Sequence, residues 1–230
     1  MHTMLFMESI VISLGGSVFL SEDADISFFQ KLGNLLKKLS KKYKIYIVVG
    51  GGKTARTYIK IGRELKLDET KLDELGIAIT RTNAALLSTI IEASNKEIPH
   101  TTDEAKNRKE SIVVMGGTTP GHSTDLVGAE LAEKTKATRF IIATNVDGVY
   151  DKDPNKYSDA VQIKKISVDG LIKKYGTDWN AAGSNVVIDG PALKIIHKTK
   201  LPTFVVNGKR LDQLEKAIIN QSFDGTIITK

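Results

Sequence analysis

Three times in its first half the chain runs an apolar, β-branched stretch into glycines: Ile10 to Leu14 into Gly15-Gly16-Ser17, Ile45 to Val49 into Gly50-Gly51-Gly52-Lys53, and Ile112 to Met115 into Gly116-Gly117-Thr118. Glycine lets successive backbone N–H groups turn toward a ligand at close range, and at a strand-to-helix turn such groups cradle an anion. The chemistry this points to is phosphate binding. Lys53 and Arg56 fall on the first turn of the helix that follows the second run, and the planar fork of Arg56 suits a phosphate. The third run continues through Thr119-Pro120-Gly121-His122-Ser123-Thr124-Asp125. Its hydroxyls at Thr118, Ser123 and Thr124 can hydrogen-bond a phosphate or a base. Asp125 either caps the next helix or orients cationic side chains around a transferring phosphate.

Some look-alikes fail on spacing. Gly52-Lys53-Thr54 ends like a P-loop, but the motif needs glycine where Ile47 stands. Asp151, Asp153 and Asn155 begin like a calcium loop, but Lys156 and Gln162 occupy its sixth and twelfth positions. The run Asn145 to Asn155 is better read as a tight loop that positions a ligand through Asn145, Asp147 and backbone. The four histidines lack ligand spacing and there is no cysteine, which argues against zinc and excludes disulfides. His122, in a polar loop with no visible partner, reads as a surface residue rather than a general base.

The elements that must hold these residues alternate. Periodicity predicts strands at 9–14, 43–49, 111–115, 139–144, 203–206 and 225–229, with helices at 25–42, 53–65, 72–93, 125–136, 189–199 and 211–220. Ser123-Thr124-Asp125 supplies capping residues for the helix after the third glycine turn. This order predicts a three-layer αβα sandwich with a central, mainly parallel sheet, whose strand ends bring the glycine turns together along one edge. Trp179, the only tryptophan, falls in a loop between helices.

With 230 residues and 41% apolar composition the chain can bury a substantial core. Its net charge of +6 invites a nucleic-acid reading, but the one dense run, Lys37 to Lys44, has no stacking aromatics interleaved and reads as a solvated helix end. No apolar run approaches a membrane span, and Met1 to Met7 lacks the features of a signal peptide, so a cytoplasmic protein binding neither nucleic acid nor membrane is expected. Met1, Met4 and Met7 each offer a start.

Taken in order, Leu14 to Ser17, Gly50 to Arg56, Gly76 to Ala84, Met115 to Thr118, Gly121 to Asp125 and Thr144 to Tyr150 resemble the amino acid kinase family over nearly the whole chain. Within it they are most similar to the archaeal uridylate kinases. The resemblance implies one domain over residues 1–230, with roughly 1–137 holding the acceptor and 138–230 the nucleotide. It implies phosphoryl transfer from ATP to UMP with Mg²⁺, no protein ligand holding the metal directly, and a homohexamer. Gly15, Gly16 and Ser17 would meet the transferring phosphate, with Gly51, on the UMP side, and Gly52 facing it. Arg56 would hold the acceptor's phosphate, Asp73 the UMP ribose, and Thr118, Ser123 and Thr124 its base and phosphate. Asp125 would organise the catalytic cations. Thr144, Asn145, Tyr150 and Asp153 would hold ATP, and Asp189 would lie near the nucleotide phosphates.

One position departs from the pattern. Many family members carry a lysine two residues before the first glycine, where this chain has Ser13. Lys53 is the expected replacement cation. The competing readings are a kinase of the same fold acting on isopentenyl phosphate, an acylglutamate or a carbamate, and a noncatalytic oxyanion-binding or storage protein.

Overall fold

The structure is a computed structural model that describes residues 7–20, 26–178 and 187–230. Its first part runs β1 (Glu8–Leu14), α1 (Gly16–Phe19), α2 (Ile26–Leu39), β2 (Tyr43–Val49), α3 (Gly52–Glu64), α4 (Glu69–Ile90), α5 (Thr102–Asn107), β3 (Ile112–Met115), α6 (Thr124–Thr135) and β4 (Arg139–Thr144). There follow β5 (Val149–Tyr150), β6 (Gln162–Ile163), β7 (Lys165–Ser167), α7 (Val168–Tyr175), α8 (Gly190–Thr199), β8 (Thr203–Asn207), α9 (Leu211–Ile218) and β9 (Gly225–Thr229).

Seven strands form one sheet in the order β3-β2-β1-β4-β8-β9-β7, and β5 pairs with β6 apart from it. Strands β3, β2, β1, β4 and β8 are parallel; β9 is antiparallel to β8 and parallel to β7. The strand order reverses at β1, whose neighbours are β2 and β4, so a crevice opens beyond their C-terminal ends. Those ends are where the glycine runs begin.

The central strands are apolar on both sides because both faces are covered. One core joins Ile10, Ile12, Ile45, Ile47 and Val114 to Leu32 and Leu36 of α2 and Leu87 of α4. The other joins Val11, Tyr46, Val113 and Ile142 to Val127 and Leu131 of α6 and Leu193 and Ile196 of α8. Gly128 lets α6 lie close to the sheet: a Cβ there would sit 2.7 Å from the ring of Phe140 and 3.6 Å from Ser13 Cβ. That close approach brings the first turn of α6 against β1.

The sheet and the major helices follow the sequence pattern, and β2 has the expected limits. Helix α4 begins earlier than expected because the Asp68 side chain caps it, accepting Lys71 N–H at 2.9 Å. Five short elements were not expected: α1, α5, β5, β6 and β7. The expected helix start at Asp25 and the Trp179 segment lie outside the described residues.

Candidate active site

The crevice holds a cavity of about 280 Å³ whose wall draws on Ser13, Gly15 to Ser17, Gly50 to Gly52, α4, the loop before α6, and Thr144 and Asn145. The first two glycine turns touch backbone to backbone. A Cβ on Gly16 would lie 2.1 Å from Gly52 N and 2.6 Å from Gly50 O, and Gly52 has a φ of +65°. Only glycine fits this contact. The N–H groups of Gly16, Ser17, Gly51 and Gly52 find no acceptor among the described residues, which leaves them available to an anion.

The loop between β3 and α6 is held at two points. Asp73 of α4 accepts Gly121 N–H at 2.6 Å. At the other point Ser123 caps α6 by accepting Leu126 N–H at 2.9 Å, while its hydroxyl donates to Asp189. Asp189 in turn caps α8, accepting Ala192 N–H at 2.8 Å. One hydroxyl thus links the starts of two helices.

Asp125 lies at the centre. Ser13, buried in β1, donates its hydroxyl to Asp125 Oδ1 at 2.6 Å. Burial of the carboxylate and, second, the nearby charge of Asp189 push Asp125 up to about 7, against a smaller lowering by the Ser13 hydrogen bond. Asp189 is raised as well, chiefly by burial. Ser13 therefore supplies a proton donor to Asp125 at the position where many family members carry a lysine.

Of the residues expected in the site, Gly15, Gly16, Ser17, Gly51, Gly52, Arg56, Asp73, Ser123, Thr124, Asp125, Thr144, Asn145 and Asp189 line this cavity. Thr144 and Asn145 also border a second cavity of about 280 Å³, shared with Tyr150, Asp153, Lys174 and Tyr175. Lys53 and Thr118 are outside both walls. Lys53 has an exposed side chain on the first turn of α3, whereas Arg56, one helical turn on, reaches the wall. His122, read as a surface residue, lines the cavity with its Nδ1 3.6 Å from Glu130.

Residues 8–207 match the amino acid kinase family. The chain belongs to that family. It is 47% identical over 226 residues to the uridylate kinase of Methanocaldococcus jannaschii, an alignment covering 95% of this chain and 98% of that one. With the uridylate kinase of Methanobrevibacter smithii it shares 42% identity over 224 residues, covering 96% and 99% of the two chains. The crystal structure of uridylate kinase from Archaeoglobus fulgidus superposes with a TM-score of 0.84 at 40% identity, covering 97% of this chain and all of that one.

In this family member the anchors of the second cavity escaped sequence reasoning. Lys174 of α7 donates to Tyr150 O at 2.6 Å and Asp151 O at 3.0 Å. Asp147 accepts from Asn207 at 3.2 Å and from Arg210 at 3.1 Å, and Arg210 also donates to Asp224 at 2.6 Å. Lys164 and then Arg210 hold Asp224 down at about 2. These partners lie dozens of residues from the loop they fix, so local spacing carries no signal for them. Asp151, one of the three calcium-like residues, accepts Val161 N–H at 2.8 Å and thereby closes its own loop.

Proposed function

We propose that this amino acid kinase transfers the γ-phosphoryl group of ATP to UMP, giving ADP and UDP. The observation that carries the reading is the pair of cavities meeting at Thr144 and Asn145, with two bare glycine turns and Asp125 on the wall of the first. The names of its uridylate kinase relatives support UMP as the acceptor. Asp73, Arg56 and the loop from Thr118 to Thr124 hold UMP. Tyr150, Asp153, Thr144 and Asn145 hold ATP, and residues 1–137 and 138–230 serve the two substrates respectively.

The transfer asks little covalent chemistry of the protein. An oxygen of the UMP phosphate, already ionised, forms the new bond to the γ-phosphorus as the bond to the bridging oxygen of ADP breaks. No side chain needs to take a proton, so His122 has no role as a base. The amides of Gly16, Ser17, Gly51 and Gly52 bind the equatorial oxygens of the phosphoryl group in flight. Arg56 supplies positive charge from the wall and Lys53 from the exposed first turn of α3.

Mg²⁺ is compatible with the donor set. It commonly takes one or two carboxylates with phosphate oxygens and water, and Asp125 and Asp189 are two hard-oxygen donors facing the cavity. No cluster of three or more acidic, histidine or cysteine ligands exists among the described residues. When bound, the cation neutralises charge on the transferring phosphates. Asp125 and Asp189, themselves held by Ser13 and Ser123, would hold it there.

Self-association as a homohexamer is part of the proposal. Tyr58 and Ile61 on α3 and Leu65 at its end are 51%, 51% and 70% exposed, an apolar stripe that a second copy of the chain would cover. No helix among the described residues is long and apolar enough to cross a membrane, and we place the enzyme in the cytoplasm. The test of the activity is ADP release with ATP and Mg²⁺ over a panel of UMP, CMP, AMP, GMP and isopentenyl phosphate. Turnover confined to UMP is expected. Preference for isopentenyl phosphate, or no turnover with any acceptor, would overturn the assignment.

A further inference from the structure

Peptide planarity ties the direction of each carbonyl to that of the next residue's N–H. The two groups point to opposite sides, so whatever holds the carbonyl aims the amide. In this chain the carbonyls of the second and third glycine turns are both held, and both from α4. Asn83 Nδ2 donates to Gly50 O at 2.9 Å in a buried bond and reaches Gly51 O at 3.5 Å. Arg81 donates through Nε to Gly117 O at 3.1 Å and through a terminal nitrogen to Thr118 O at 3.0 Å. Thr80 Oγ1 accepts Gly117 N–H at 2.7 Å and donates to Ile77 O at 2.7 Å, which fixes the rotation of that hydroxyl.

Across the same peptide planes lie the N–H groups of Gly51, Gly52, Thr118 and Thr119. None has an acceptor among the described residues. Asn83 itself is buried and stays behind the wall. Its amide group is spent on two carbonyls of one turn, a use of a buried donor that packing alone does not require.

We propose that Asn83 and Arg81 are positioning residues. By pinning the carbonyls of the second glycine turn to α4, Asn83 aims the amides of Gly51 and Gly52 at the transferring phosphoryl group. Arg81, by holding Gly117 O and Thr118 O, fixes the loop that carries Ser123 and Thr124, on the cavity wall, to the acceptor. The inference rests on the kinase reading above for the identity of the acceptor, but the aiming of the Gly51 and Gly52 amides needs a phosphoryl ligand alone. An aspartate at position 83 matches the volume of asparagine and puts an acceptor where a donor is needed, facing two carbonyl oxygens. The peptide planes then turn and present oxygen to the phosphate.

The experiment uses the full chain with Asn83→Asp and Arg81→Lys, the latter keeping charge while losing the two-pronged fork. It measures kcat, KM for each substrate, Tm, and the ¹H and ¹⁵N shifts of the Gly51 and Gly52 amides on adding ADP, Mg²⁺ and aluminium fluoride. Asn83→Asp should lower kcat roughly 10- to 100-fold with KM for UMP within about threefold, and abolish the amide shifts seen in the parent. Arg81→Lys should instead raise KM for UMP about tenfold with kcat within about threefold. If Asn83→Asp does not fold, Asn83→Ala carries the same readouts without the added charge. Unchanged kcat, intact amide shifts with lost kcat, or equal losses in both variants that follow Tm would overturn the proposal. Amide shifts present in a parent enzyme that fails to phosphorylate UMP, and abolished by Asn83→Asp, would sink the acceptor assignment while upholding the role of Asn83.

Discussion

Replacing Asp125 by asparagine should stabilise the ligand-free protein at alkaline pH while disabling it. Asp125 is raised from 3.8 to about 7 by burial and by Asp189, so its ionised form is disfavoured in the folded chain relative to the unfolded one. Below pH 3.8 both states hold the proton and the site costs nothing. As pH rises the unfolded chain releases the proton first, and stability falls until the folded carboxyl ionises near pH 7. Each pH unit is worth roughly 1.4 kcal/mol, so the full penalty approaches about 4 kcal/mol, less to the extent that cavity water screens the carboxylate. Asparagine keeps an oxygen to accept the Ser13 hydrogen bond and carries no charge to repel Asp189. Urea unfolding of both proteins without nucleotide and with chelator, followed by far-ultraviolet circular dichroism between pH 4 and 9, measures the difference. It should be near zero at pH 4 and rise to a plateau above pH 8. A difference that does not change with pH, or an Asp125→Asn protein less stable than its parent at pH 8, would refute the electrostatic account. Turnover should fall about 100-fold or more, since the negative group facing the transferring phosphates and their cation is gone.

Gly16→Ala places a methyl group 2.1 Å from Gly52 N and should destabilise the protein by about 3 kcal/mol or more, read as a fall in Tm, whereas Gly121→Ala, with open space but a φ of +80°, should cost about 1 kcal/mol. Arg56→Ala should raise KM for UMP by about tenfold or more in steady-state assays. Lys53→Ala should cut kcat by about 100-fold if its side chain supplies the missing charge, and near-normal kcat would remove it from the mechanism. Arg210→Ala removes the charged one of the two donors to the Asp147 carboxylate and should raise KM for ATP several-fold, roughly 3- to 10-fold, with KM for UMP unchanged.

The parallel sheet and the convergence of the glycine turns were legible because both depend on local pattern: runs such as Ile45 to Val49 bury every side chain, and the glycines mark where each strand ends. Thirteen of the expected site residues share one cavity wall for the same reason, since strand order fixes which turns meet. What was illegible is what holds the turns. Asn83, Arg81 and Arg210 act through backbone carbonyls or carboxylates 14 to 63 positions away, and although Arg81 and Asn83 fall within the Gly76 to Ala84 segment, their spacing says nothing of the carbonyls they hold. Ser13 shows the same limit. In the sequence it reads as a lost lysine, and only the close packing of α6 permitted by Gly128 reveals it as the donor to Asp125. Short polar elements such as α5 and β7 escaped because they lack enough residues for a period to emerge.

The contact between Gly16 and the second glycine turn also bears on redesign. A surface made of bare amides senses charge and tetrahedral shape but carries no side chain that could tell one phosphorylated molecule from another. On the proposed reading, selectivity would then fall to the side chains at the periphery, Asp73 and Arg56 in the first cavity and Tyr150 and Tyr175 in the second. The centre is a generic phosphoryl-transfer module, and exchanging its flanks is the route by which one ancestral scaffold could acquire new acceptors without rebuilding its core chemistry.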